Sequence, residues 1–200
     1  MSREGYWRLL EFGFYNKLID EILKCIDDNS LSFTKLTVEE IYSDLQGIYG
    51  LSILKQVVNY FFTLIEADGQ IYRLKRERLF KFYAESLLRS TLKMNYNEFQ
   101  VILLKTLPYA LNYDFKLEYI QSISYVEEPY IYYLNSIDMP DNIEKRFKCL
   151  FERRTKWPAV ELSVFVADLC NNNTTEISNA LTKFCRPFNQ NGVKYYTSRM

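Results

Sequence analysis

The sequence predicts a mainly α-helical protein with small β-hairpins, of the α+β class, and three observations carry that prediction. Apolar residues recur at three- and four-residue spacing in blocks of helix length. The blocks are closed by short runs rich in aromatic and β-branched residues around turn pairs such as Asp68-Gly69 and Asn191-Gly192. The same order, helices and then a hairpin, returns twice more along the 200 residues. Three helices followed by a hairpin form a winged helix, so the chain reads as a tandem array of three winged-helix domains at 1–75, 76–136 and 137–200.

In the first domain, Phe14, Leu18, Ile22, Cys25 and Ile26 form one helical stripe. Thr37, followed three residues later by Glu40, is a capping box that opens a short helix running to Leu45. Leu51, Leu54, Val57, Val58, Phe61 and Phe62 mark a third helix, with Lys55, Gln56 and Asn59 on its other face. Asp68-Gly69 then joins Leu64-Ile65-Glu66 to Gln70-Ile71-Tyr72-Arg73-Leu74 as a hairpin. The second round has helices at 76–92, about 95–106 and 114–123, and a hairpin over Tyr125–Leu134. The third has a helix from Ile143 to Arg153 capped by Asp141, helices at 160–169 and 175–185, and a wing turning at Asn191-Gly192. The connections near Lys75 and at 136–140 are short and lack Gly/Ser tethers, which favours packed modules over freely swinging ones.

Composition narrows the function. There is no histidine, which removes the commonest general base and metal ligand. No Gly-rich phosphate cradle occurs, and the carboxylate pairs Asp27-Asp28, Glu39-Glu40 and Glu127-Glu128 sit at element ends as solvated caps. No base–nucleophile constellation can be named, so the expectation is a protein that is not an enzyme and needs no cofactor. Cys25, Cys149, Cys170 and Cys185 are widely spaced and read as reduced, mostly buried thiols. No apolar run reaches the length of a membrane span, and no signal peptide is seen.

The net charge of zero conceals a gradient. Residues 1–72 carry 6 basic and 11 acidic side chains, residues 73–138 carry 9 and 8, and residues 139–200 carry 10 and 6. An acidic beginning suits a protein contact and a basic end suits phosphate. The candidate phosphate contacts are Lys183 and Arg186 at the last helix, Lys194 and Arg199 on the wing, and Arg153, Arg154 and Lys156 after the first helix of that module. Arg153 and Arg154 also complement the dipole of the helix they end. In the first domain the candidate protein contacts are Lys55, Asn59, Tyr60 and Tyr72, with Tyr49 a further exposed-or-core tyrosine and burial the commoner fate of such rings. The alternative reading is a protein-interaction scaffold of winged helices whose basic residues are solvated surface.

Several collinear segments resemble the Dcc-type sister chromatid cohesion family: Gly5-Tyr6-Trp7-Arg8-Leu9-Leu10-Glu11-Phe12, Asp68-Gly69-Gln70-Ile71-Tyr72, Asn97-Glu98-Phe99-Gln100 and the stretch from Asp138 to Phe147. Lys156-Trp157, Leu181-Thr182-Lys183 and the block from Gln190 to Arg199 continue the likeness. The resemblance implies a nuclear, non-catalytic subunit of an alternative replication factor C, which joins a Ctf-type large subunit and Ctf-eight and helps load the PCNA clamp. It implies that the first of three winged helices contacts the catalytic subunit of DNA polymerase epsilon and that the later ones bind single- and double-stranded DNA. Family members assemble with their partner subunits through an N-terminal β-barrel region, and this sequence starts almost directly at the first winged helix.

Overall fold

The computed structural model describes residues 12–45, 47–66 and 70–199. The described fold divides into two compact units, one holding residues up to Ser86 with Leu107–Asn112, the other Leu87–Thr106 with Tyr113 onward. The division falls inside one helix, Arg76–Thr91. The class is α+β: eight α-helices among the described residues and three small antiparallel sheets of three strands each.

The first unit opens with α1, Phe12–Asp28, whose periodic stripe buries Leu18, Ile19, Ile22, Leu23, Cys25 and Ile26. Strand β1 is only Leu36–Thr37, and α2 follows at Val38–Leu45. The capping box between them is made: the Glu40 N–H donates to Thr37 Oγ1 at 3.3 Å, and the Thr37 N–H donates to Glu40 Oε2 at 2.7 Å. Helix α3, Leu51–Phe61, runs directly into β2, Phe62–Glu66, which pairs with β3, Ile71–Leu74. The hairpin is therefore as the sequence predicts, while its Asp68-Gly69 turn lies outside the described residues. The carbonyl end of α3 is closed by cations. Lys75 Nζ donates to Asn59 O at 2.8 Å, and Arg78 Nη1 donates to Tyr60 O at 3.3 Å.

Helix α4, Arg76–Thr91, leads into β4, Lys93–Asn95, and α5, Tyr96–Thr106. The helix expected at 114–123 is not formed. Asn112 turns left-handed, residues 113–116 form no helix, and a single 3-10 turn occupies Leu117–Tyr119. The reason is visible in the pattern: Tyr113, Phe115, Leu117 and Tyr119 alternate with Asn112, Asp114, Lys116 and Glu118, and their burial alternates with them. That period of two belongs to extended chain and not to a helix. Phe115 takes the packing role of the missing helix, its ring edge-on to Tyr96 at 5.9 Å and to Phe99 at 6.1 Å. Strands β5, Ser124–Glu127, and β6, Tyr130–Tyr133, form the second hairpin.

The third repeat comprises α6, Ile143–Arg153, β7, Lys156–Pro158, α7, Ala159–Val166, α8, Thr174–Phe184, β8, Cys185–Gln190, and β9, Val193–Ser198. The cap of α6 is Asn142 and not Asp141: its side chain accepts the Lys145 N–H at 3.0 Å. A Ncap residue must stand next to the first helical residue to reach the third N–H, and Asp141 is one position too early. Asn191 and Gly192 hold positive φ of 52° and 77°, as a tight two-residue hairpin turn requires.

In all three sheets the second strand of the hairpin is central, flanked by the first hairpin strand and by the short strand that precedes the second helix: β1-β3-β2, β4-β6-β5 and β7-β9-β8. The core of the third repeat gathers Phe147, Leu150, Trp157, Leu162, Phe165, Leu181 and Tyr196, and it continues into the second hairpin through Tyr125, whose ring lies 5.0 Å from that of Trp157. At its edge sits Arg146, only 1% exposed. Its Nη1 donates to both oxygens of Asp168 at 2.5 and 2.7 Å and to the Phe165 carbonyl at 3.1 Å, while Nε donates to the Pro140 carbonyl at 2.8 Å. One side chain thereby ties the loop before α6 to the end of α7. Asp168→Ala leaves that buried guanidinium without its closest counter-charge, and the expected cost is about 2–4 kcal/mol. It is read as a lower urea midpoint with an unchanged slope.

Candidate nucleic-acid and protein interfaces

The β8–β9 hairpin of the third repeat decides where its cations point. The two-residue turn at Asn191-Gly192 sets the register: Gln190 faces Val193, Phe188 faces Tyr195, and Arg186 faces Thr197. On the other side of β9, Lys156 faces Thr197 and Pro158 faces Tyr195. Residues directly opposite one another share a face, so Arg186, Thr197 and Lys156 make one row across the outer face of the sheet. Trp157, Cys185 and Tyr196 point to the other face and are buried. Lys194 faces Asn189, which has the parity of Cys185, so it leaves the hairpin on the side opposite Arg186, with its Nζ 5.1 Å from the Tyr196 ring.

The seven basic candidates therefore separate. Lys183 stands exposed in the last turn of α8, its ammonium 5.0 Å from the Phe184 ring. Arg199, also exposed, follows β9, and its N–H bonds the Phe184 carbonyl at 3.0 Å, which brings it beside the end of that helix. Arg186 and Lys156 share the outer sheet face. Arg153 is exposed at the end of α6. Arg154 is mostly buried and committed within the fold: Nη1 donates to Glu161 at 2.9 Å, and the guanidinium lies 5.4 Å from the Trp157 ring centroid. Burial pushes the Glu161 carboxyl upward and Arg154 pulls against that shift.

Helix α8 exposes Thr175, Ser178, Asn179, Thr182 and Lys183, a face of hydrogen-bonding groups with Glu176 as its acid. The equivalent α3 exposes Leu51, Lys55, Gln56, Asn59 and Tyr60, and the β2 strand beyond it exposes Leu64 and Ile65 at 46% and 42%. Of the candidate protein contacts, Lys55 and Asn59 are on the exposed side of α3. Tyr60 is 42% exposed but its ring is covered by Arg78 at 4.6 Å and Tyr15 at 5.6 Å. Tyr72 is corrected to a core residue: it is 9% exposed, between its partners Leu36, which is buried, and Leu64, which is 46% exposed on the outer strand of the hairpin. Tyr49 is equally buried. Ile48, between α2 and α3, and Leu64 and Ile65, on β2, are exposed apolar side chains that no sequence signal marks, since isolated apolar residues have the same pattern in core and on surface.

The four cysteines are free thiols, with Cys25, Cys170 and Cys185 buried and Cys149 half-buried. Burial pushes Cys185 up to about 12, with Arg199 pulling weakly the other way. Burial also pushes Cys25 up to about 11, helped by Asp44, whose Oδ2 accepts the thiol proton at 3.4 Å. Among the described residues no group of three or more Cys, Asp and Glu could hold a metal ion, and no helix is long and apolar enough to cross a membrane.

The described fold repeats a small arrangement of helices and a three-stranded sheet, and comparison with known proteins gives the family to which it belongs. The family model described as sister chromatid cohesion protein Dcc1 matches residues 1–166. The sister chromatid cohesion protein DCC1 of Xenopus tropicalis is 30% identical over 205 residues, covering 99% of this chain and 52% of the relative. The proteins of the same name from Homo sapiens and Danio rerio are 28% and 27% identical, each across 98% of this chain and 50% and 51% of their own length. The chain belongs to the Dcc1 family of sister chromatid cohesion proteins. It spans about half the length of the curated relatives it matches.

The raised thiols have a measurable consequence. Above pH 9.0, the ordinary thiol value, the unfolded chain loses the protons of Cys25 and Cys185 while the folded chain keeps them up to about 11 and about 12. Their contribution to stability is thus intact below 9 and falls as pH rises through that window. Between about pH 8 and about pH 10.5 the urea midpoint is expected to fall more steeply for the unaltered protein than for Cys25→Ala/Cys185→Ala.

Proposed function

We propose that this chain is a non-catalytic subunit of an alternative PCNA clamp loader that acts in the nucleus, in DNA replication and sister chromatid cohesion. Its three repeats are winged helices, the second with an extended segment in place of its third helix. The first winged helix contacts the catalytic subunit of DNA polymerase epsilon, and the later ones bind DNA. Assembly with the Ctf-type large subunit and Ctf-eight belongs to regions of the family outside this stretch.

The observation that carries this reading is the change of surface chemistry between equivalent elements. Around α3 and β2 the exposed groups include Leu51, Leu64 and Ile65 on an acidic repeat, which suits a protein partner. Around α8 and β8 they include Ser, Thr, Asn, Lys183 and Arg186, with Glu176 the one acid of α8, in a stretch, residues 139–200, with four more basic than acidic residues, which suits a phosphate backbone. Membership of the cohesion family supports the same assignment.

Titration of labelled primed DNA at several salt concentrations tests it. Lys183→Glu/Arg186→Glu is expected to weaken binding severalfold and to make the dependence of log affinity on log salt shallower by about one to two. Capture of the polymerase catalytic subunit by the same variant is expected to stay unchanged, and to be lost in Leu51→Glu/Leu64→Glu. Unaltered DNA affinity and salt slope in the first variant would sink the DNA assignment and leave a scaffold of protein contacts.

A further inference from the structure

The outer face of the third sheet has a composition that neither its fold nor a duplex contact by α8 requires. Its eight strand residues are Arg186, Phe188 and Gln190 from β8, Val193, Tyr195 and Thr197 from β9, and Lys156 and Pro158 from β7. None is buried, and none is acidic. At its centre the rings of Phe188 and Tyr195 stack on one another across the strands, 5.6 Å between centroids and inclined by only 25°, so they form an aromatic pair that a further ring can extend on its outer side. Cations frame that surface. Lys156 Nζ is 5.7 Å from the Tyr195 centroid and donates to Gln190 Oε1 at 3.0 Å. Arg186 projects from the same cross-strand row as Lys156, two strand spacings or about 10 Å away. Neither ring belongs to the core cluster that holds the repeat together, which is built on the opposite face around Trp157, Cys185 and Tyr196.

Half-exposed aromatic rings on a β-face, flanked by basic side chains and free of carboxylates, match what an unpaired nucleic-acid strand needs. Each base has a π-face to stack on a ring, and the backbone phosphates between bases need cations within reach. A base pair inside a duplex offers no free π-face, so such a surface discriminates between the two forms of DNA. We infer that the outer face of this sheet is a stacking site for unpaired bases, with Phe188 and Tyr195 as the platform and Lys156 and Arg186 as the phosphate contacts. The inference rests on the DNA-binding reading above and adds to it the part of the surface that selects a single strand.

The test uses the full chain with two labelled probes, an oligo(dT) of about 16 nucleotides and a duplex of the same length. Phe188→Leu/Tyr195→Leu keeps bulk and hydrophobicity but removes both π-faces. Affinity for oligo(dT) is expected to fall about tenfold or more while affinity for the duplex stays within about twofold. The salt slope for oligo(dT) stays as it was, because no cation has been removed. Unchanged oligo(dT) affinity, or an equal loss on both probes, overturns the stacking site. A chain that binds the duplex but shows no ring dependence overturns this inference alone; one that binds neither probe overturns the DNA reading as well. Photocross-linking of bromodeoxyuridine-substituted oligo(dT) to the unaltered protein gives a readout independent of the variant's folding. Adducts at Phe188 or Tyr195 support the site, and adducts confined to α8 contradict it.

Discussion

Each repeat depends on one constraint, the capture of its hairpin by a third strand only two or three residues long. A two-stranded hairpin is marginal in water, and here β3, β6 and β9 become stable central strands because β1, β4 and β7 close their open side. Those short strands are also the links into the second helix of each repeat, so the same hydrogen bonds that stabilise the hairpin orient it against the helices. Leu36, Met94 and Trp157 each occupy a position in these links. Trp157 shows how far this goes: its ring is wholly buried and its Nε1 donates to the Leu150 carbonyl at 3.0 Å, which joins strand, helix end and core in one residue.

From this constraint the functional surfaces follow. Once β9 is central, its register with both neighbours sorts every side chain of the third wing to the core or to the outer face, and the outer face receives Lys156 and Arg186 although they are far apart in sequence. In the first repeat Tyr72 of the central strand is buried, while Leu64 and Ile65 of the edge strand β2 stay exposed. Equivalent scaffolds therefore present different chemistry without altering the arrangement of elements. The ion pair between buried Arg146 and half-exposed Asp168 lies in the third repeat, at the end of α7 just before the helix that carries Lys183.

Much of this was legible in the residues, and the reason is that it was local. The apolar stripes of α1 and α3, the Thr37–Glu40 box and the Asn191-Gly192 turn each complete their signal within a few positions. The short strands were not legible, since two or three residues cannot display an alternation. At 114–123 the apolar residues are as dense as in a helix, but Tyr113, Phe115, Leu117 and Tyr119 have a period of two, which excludes one. Arg146 and Asp168 stand too far apart for any local pattern to join them. The separation of Lys194 from Arg186 was within reach: a two-residue turn at Asn191-Gly192 pairs Arg186 with Thr197 and Lys194 with Asn189, which already assigns opposite faces.

The central claim is that the repeats divide their contacts along the chain, with nucleic acid held by the later ones and not by the first. Hydrogen exchange of the full chain with and without primed DNA addresses it directly, because it reports every backbone amide at once. Slowed exchange that includes α8, β8 and β9, with α1 to α3 unchanged, is the result this account predicts. Equal protection of α3 and β2, or none in the third repeat at saturating DNA, would contradict it.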